Sequence, residues 1–226
     1  MGAERLTTQD KAAFFLVIEG LDGSGKSEVS RRLAALLREV IGDRVLLTYE
    51  PNDPSAAGVF IREVLAHKIQ TSPRALALAY ALNRADHTLR VINPFLNSAN
   101  EQDGMQHIVI CDRYYLSSLV YQAVPPLSMQ EVWQINADAR KPDLILFMDA
   151  SADTCYARMG KRGGERELFD TNLAVRRGHY MQSIAFLRER DHRIVEIDAD
   201  PDLPAVLSSV VAALKAHGPG WLGSLL

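Results

Sequence analysis

Phe14-Phe15-Leu16-Val17-Ile18 runs straight into Glu19-Gly20-Leu21-Asp22-Gly23-Ser24-Gly25-Lys26-Ser27, and the join between these two patterns fixes the class of fold. The first five residues are apolar without alternation, the mark of a strand buried on both faces. Gly20 to Ser27 fits G-x-x-x-x-G-K-[ST], and helical spacing begins after Lys26 with Val29, Leu33, Leu36, Leu37 and Val40. A strand, a glycine-rich loop and a helix in that order make a phosphate cradle. Gly20, Gly23 and Gly25, with Ser24 between them, let backbone N–H groups turn toward phosphate oxygens, and the helix N-terminus adds a positive dipole end. Lys26 then reaches the outer phosphates of a nucleotide, and the Ser27 hydroxyl is placed to ligate Mg²⁺.

Further along the chain the same alternation repeats. Short apolar runs recur at Val45–Leu47, Ile108–Cys111, Leu144–Met148 and 193–197. Between them lie helix signals: Ser72 followed by Pro73, a capping box of Ser128 with Glu131, and a one-face stripe of Leu203, Val206, Leu207, Val210, Val211 and Leu214. Strands alternating with helices predict an α/β fold: a doubly wound, five-stranded parallel sheet flanked by helices, in one domain over 1–226. Asn97 to His107 reads as a polar surface loop, and 218–226 as a loose tail.

Composition narrows the class. In 226 residues, 25 Lys and Arg stand against 28 Asp and Glu, so a strongly basic nucleic-acid binder is disfavoured. Two distant cysteines, Cys111 and Cys155, give neither a disulfide framework nor zinc spacing, which suits a reducing, cytoplasmic setting. No apolar run is long enough to span a bilayer, so no membrane is expected as a partner, and the charge balance gives the same expectation for nucleic acid.

Three further groups carry chemistry. Asp112-Arg113-Tyr114 follows the third strand, where ligands bind in a doubly wound sheet. Asp112 would hold the Mg²⁺ hydration shell and Arg113 would clamp a phosphate; the pair also fits a salt bridge that caps the strand. Tyr114, Ser117, Ser118 and Tyr121 share one helical face, suited to a nucleoside wall or to plain core. Tyr80 and Arg84, four apart, project together, so a ring could stack on a base while Arg84 donates to it. Arg158 to Arg166 interleaves basic residues with glycines, as in a mobile flap of about 158–170 that closes on phosphates, or in a solvated loop.

Together these groups resemble the thymidylate kinase family of nucleoside monophosphate kinases, over Phe14 to about Leu214. The resemblance implies transfer of the ATP γ-phosphoryl group to dTMP, with Mg²⁺, in a homodimer. It implies that Asp22 faces the acceptor's 3′-hydroxyl and phosphate, that Tyr80 stacks on thymine and that Arg84 bonds a base carbonyl. Arg113 would hold the acceptor phosphate, Ser117 and Ser118 the base edge, and Tyr121 the deoxyribose. Arg158 would stack on adenine opposite Ala199-Asp200-Pro201. Family members place the catalytic arginine either in the loop or in the flap. Gly23 fills the loop position here, so Arg162 and Arg166 become the candidates beside Lys26, Asp22 and Arg113. Three departures stand out: Glu28 replaces the usual second Ser or Thr among the nucleotide-binding residues, no Arg lies within 49–54, and the base-edge residues are short serines.

Two other readings use the same residues. A deoxynucleoside kinase acting on thymidine would need a general base, for which Glu50 is the candidate. A regulatory P-loop ATPase would bind ATP with no small acceptor. The absence of Asn-Lys-x-Asp counts against a Ras-like GTPase.

Overall fold

β1 (Ala13–Gly20) is buried along almost its whole length and lies in the middle of the sheet. In this computed structural model, which describes residues 12–52, 55–99, 105–162 and 172–226 (without the side chains of 161 and 162), it is joined by β2 (Val45–Tyr49), β3 (His107–Asp112), β4 (Leu144–Asp149) and β5 (Ile194–Asp198). The order is β2-β3-β1-β4-β5 and every pairing is parallel. The expected α/β class and strand count hold, with the last strand starting one residue later than its apolar run.

The strand order makes the crevice. From β1 the chain crosses to β2 on one side, and from β3 it crosses to β4 on the other. Right-handed crossovers in opposite directions leave their helices on opposite faces and open a gap at the strand ends. Register brings Ile18 of β1 level with Asp112 of β3, and Arg113 N–H donates to the Ile18 carbonyl at 2.9 Å. The phosphate loop and the Asp112-Arg113 corner therefore leave the sheet side by side.

The helices follow local rules where those rules are strong. α1 (Lys26–Ile41) buries Val29, Leu33, Ala34, Leu37 and Ile41, a ridge four residues apart with its neighbour. Leu36 and Val40, which share the helical spacing, are 43% and 50% exposed, because a helix turns only one ridge toward a sheet. α2 (Ala56–Leu65) is capped by Ser55 and α3 (Pro73–His87) by Ser72. A π turn (Thr88–Ile92) carries α3 on into α4 (Asn93–Asn97). That helix and the buried His107 take up both ends of the expected Asn97–His107 loop, while 100–104 lie outside the described residues.

α5 (Tyr115–Tyr121) follows β3, and α6 (Met129–Ile135) has the Ser128–Glu131 capping box. The expected flap of about 158–170 is corrected at its start: α7 (Ala152–Arg162) carries 158–162 as helix, while 163–170 lie outside the described residues ahead of α8 (Leu173–Arg188). α9 (Leu203–His217) buries Val206, Val210 and Leu214 of its stripe. The expectation of a loose 218–226 tail is corrected. α10 (Gly220–Leu225) folds back on α9 with Leu222 fully buried, an apolar anchor that outweighs the two glycines. No helix among the described residues is long and apolar enough to cross a membrane.

Candidate active site

The phosphate loop is held open from behind. Gly23 and Gly25 have φ of 84° and 92°, the left-handed region that glycine enters without steric cost. A Cβ on Gly23 would stand 2.5 Å from the Cys155 carbonyl oxygen of α7, so this position admits no side chain. Lys26 is buried, and its ammonium rests 3.3 Å from the Leu21 carbonyl and 3.4 Å from Asp22. Ser27 is exposed at the start of α1 and lines the cleft described below. Ser24 Oγ is buried without a hydrogen-bond partner among the described residues. Glu28, expected near the nucleotide, has its carboxylate engaged by Arg31 at 2.6 Å and Arg32 at 2.9 Å on the helix surface.

Opposite Lys26, Arg113 reaches in from a strained corner with φ of 69°. Its Nη2 bonds Asp22 Oδ1 at 2.5 Å, and its Nη1 bonds Ser117 Oγ at 2.9 Å and the Tyr180 hydroxyl at 3.3 Å. Asp22 is thus shared by the two cations. Burial would raise its carboxyl, but Arg113 and then Lys26 outweigh burial and hold it well below the usual carboxylate range. Asp112, at the end of β3, leaves Oδ1 buried with no partner among the described residues.

Two residues that sequence reasoning passed over hold this corner. Glu19 is fully buried and accepts from the N–H of Tyr114 at 2.8 Å, the N–H of Ser117 at 3.0 Å and the Ser117 hydroxyl at 2.6 Å. It caps α5 from the neighbouring strand, doing for orphan N–H groups what a local N-cap does elsewhere. Burial pushes its carboxyl up, against the pull of Arg113 and these donors. The sequence signal was a lone charge at the end of an apolar strand. Tyr180 on α8 gave no such signal.

The far wall is polar and buried. Arg84, at 2% exposure, donates to Glu50 at 2.7 Å, to Ser118 at 3.1 Å and to Asn136, with its guanidinium over the Tyr114 ring at 5.1 Å. Glu50 also meets His87 at 3.2 Å, and His87 meets Thr48 at 2.8 Å. Asn83 pins the turn after β2 through both the N–H and the carbonyl of Asn52. Tyr121 lies beneath Arg113 and Arg176, with ring centroids 5.5 and 5.0 Å from their guanidinium carbons.

One cleft of about 590 Å³ connects these groups, a size suited to a small organic ligand. It joins Asp22, Lys26, Ser27, Asp112 and Arg113 at one end to Tyr80, Arg84, Ser117, Ser118 and Tyr121 at the other. Gln122, Arg31 and Arg62 also line it and were not singled out from sequence. Arg158 stands apart, on the other side of the loop. Its guanidinium donates to the carbonyls of Ser24 at 3.2 Å, Ala199 at 2.8 Å and Pro201 at 2.9 Å, clamping the loop to the turn after β5. The Arg162 side chain and Arg166 lie outside the described residues.

Comparison with known proteins is consistent across three kinds of match. A family model described as thymidylate kinase matches residues 18–210. A probable thymidylate kinase of Pyrococcus abyssi is 37% identical over 207 residues, covering 89% of this chain and 96% of its own length. One of Caldivirga maquilingensis is 33% identical, covering 91% and 95%. The crystal structure of thymidylate kinase from Ehrlichia chaffeensis superposes with a TM-score of 0.65 at 25% identity, over 90% of this chain and 98% of that one.

Proposed function

Because the chain belongs to the thymidylate kinase family, we propose that the cleft between the phosphate loop and the Arg84 wall is where its acceptor nucleotide lies. The protein is a nucleoside monophosphate kinase that transfers the γ-phosphoryl group of ATP to dTMP, giving ADP and dTDP. The observation that carries the assignment of residues is the Asp22 carboxylate shared by Lys26 and Arg113. It sets one cation for the donor phosphates and one for the acceptor phosphate on either side of a single anion.

Phosphoryl transfer asks for alignment and charge neutralisation more than for covalent chemistry. Lys26 would hold the outer phosphates of ATP within the loop formed by Gly20, Gly23, Ser24, Gly25 and Ser27. Arg113 would aim the acceptor phosphate, which is already anionic and needs no base. Tyr80, Arg84, Ser117, Ser118 and Tyr121 would receive the nucleoside. Arg158, beside the Ala199–Pro201 turn, fits the adenine end. The Cys155 backbone behind Gly23 supports the flap as the source of a catalytic arginine, with Arg162 and Arg166 as the candidates. The same network speaks against thymidine as the acceptor, since Glu50, the base that chemistry would need, is occupied by Arg84 and His87.

The donor set fits Mg²⁺. Asp112 offers a buried carboxylate oxygen without a protein partner among the described residues, and Ser27 offers a hydroxyl in the same cleft. These hard oxygens suit the ion, directly or through water, and when bound it would neutralise charge on the donor phosphates. A homodimer is supported by Leu78, Leu82 and Leu89, exposed by 50%, 63% and 69% along α3 and its π turn. Two buried free cysteines support a reducing, cytoplasmic setting.

The test is ADP release from ATP and Mg²⁺ with dTMP, dUMP, dCMP, dGMP, UMP and thymidine in turn. Turnover with dTMP far above the others is expected. Turnover with thymidine alone would make Glu50 the base, and ATP binding without turnover on any acceptor would favour a regulatory ATPase.

A further inference from the structure

We propose that the Tyr180 hydroxyl is the positioning contact that holds Arg113 ready for the acceptor phosphate and ties it to the phosphate loop; this rests on the reading of Arg113 as the acceptor clamp. The phenol sits at a junction of four groups. It lies 3.1 Å from the Gly20 carbonyl, 3.1 Å from Ser117 Oγ, 3.3 Å from Arg113 Nη1 and 3.4 Å from Glu19 Oε2. A hydroxyl has one proton and two lone pairs, so the partners can be assigned. The Ser117 proton goes to Glu19 at 2.6 Å, the shortest contact of the group. The Tyr180 proton goes to the Gly20 carbonyl, and its oxygen accepts from Arg113. Burial pushes the phenol well up, which keeps that proton on the oxygen.

The consequence is mechanical. Gly20 is the last residue of β1 and the first of the phosphate loop, and Arg113 follows β3. Tyr180 comes from α8, an element belonging to neither, and bonds both. Arg113 is a long side chain with several rotamers. With Nη1 fixed by Ser117 and Tyr180, and Nη2 turned to Asp22, its fork meets an incoming phosphate in one orientation. The ring itself is seated independently of the hydroxyl: it is fully buried and tilts against Phe147 at 4.9 Å between centroids. Removing only the oxygen therefore leaves the packing in place.

The test is a double-mutant cycle of Tyr180→Phe and Arg113→Ala, read as dTMP affinity by calorimetry and as KM and kcat for both substrates. Tyr180→Phe is expected to weaken dTMP by up to about tenfold, the cost of ordering a long side chain on binding once a contact that held it is gone, while the ATP KM stays within about twofold. In the Arg113→Ala background the same substitution should have no further effect on dTMP. A merely structural hydrogen bond would instead lower thermal stability and shift both KM values together, or cost dTMP the same factor in both backgrounds; either overturns the proposal. If Arg113→Ala alone leaves dTMP affinity intact, the clamp reading itself falls. Ser117→Ala reads the fork from its other partner. A selective dTMP loss there, with none in Tyr180→Phe, assigns the positioning to Ser117 and overturns the role of Tyr180.

Discussion

Replacing Glu50 by Ala should destabilise this protein more than almost any other single change in the cleft wall. Arg84 is 2% exposed, and its only anionic partner among the hydrogen bonds described is Glu50, at 2.7 Å. Ser118 and Asn136 also accept from it, but both are neutral. Without the carboxylate a full positive charge stays buried, and His87 loses its contact as well. Breaking one side of a buried pair costs about 3–5 kcal/mol, mostly the desolvation left uncompensated. At about 2–4 °C per kcal/mol for a chain of this size, Tm should fall by roughly 6–20 °C. Thermal and urea unfolding followed by circular dichroism measure this directly. The double variant Glu50→Ala/Arg84→Met should recover most of the loss, because it removes the stranded charge, although dTMP binding suffers. Glu50→Gln keeps an acceptor for Arg84 and should lower kcat by less than about tenfold, whereas loss of a general base costs about 10²–10⁴. A Glu50→Ala variant within about 1 kcal/mol of wild type, or a double variant as unstable as the two singles added together, would refute the argument.

Two further outcomes are expected. Gly23→Ala should abolish measurable turnover and weaken ATP binding, since the new methyl meets the Cys155 backbone at 2.5 Å from an already left-handed φ of 84°; ATP titration and a steady-state assay check it, and normal ATP affinity would refute it. His192 is held below its usual value by burial, helped by the Lys141 ammonium, and bonds the Tyr115 hydroxyl at 2.7 Å. Below about pH 6.5 the unfolded imidazole takes up a proton that the folded one does not, so stability should fall as pH drops through that range. His192→Gln should show a shallower fall in urea midpoint between pH 7.5 and 5.5; an equal slope would refute the assignment.

Much of the cleft was legible as separate pieces. Lys26 and Ser27 sit in a contiguous motif, and the caps at Ser72 and Ser128 join residues three apart. Asp112, Arg113, Tyr80, Arg84, Ser117, Ser118 and Tyr121 were also singled out, and all of them line one cleft. What the residues do to one another was not legible. The spacing of Tyr80 and Arg84 predicts a donor to a base, yet the Arg84 guanidinium is first the partner of Glu50, Ser118 and Asn136. The resemblance places Glu28 with the nucleotide, and the structure engages its carboxylate with Arg31 and Arg32. The sequence predicts a loose tail over 218–226, because the packing against α9 that buries Leu222 is not visible locally.

The division follows sequence separation. Hydrophobic period, the glycine-rich loop and helix caps are properties of a few neighbouring residues, so the chain by itself determined the α/β alternation, the phosphate cradle and the type of chemistry. The contacts that build the cleft join residues far apart: 34 positions between Glu50 and Arg84, 91 between Asp22 and Arg113, and 160 between Gly20 and Tyr180. The last two pairs exist because β3 lies beside β1 and α8 packs across α5, and the first because α3 lays Arg84 over the residue that follows β2. Strand order and helix packing are settled by burial of the whole core, a collective quantity that no local spacing encodes. The tertiary structure alone therefore decided that Asp22 is shared by two cations, that Glu19 caps a helix from another strand, and that one buried phenol meets both halves of the site.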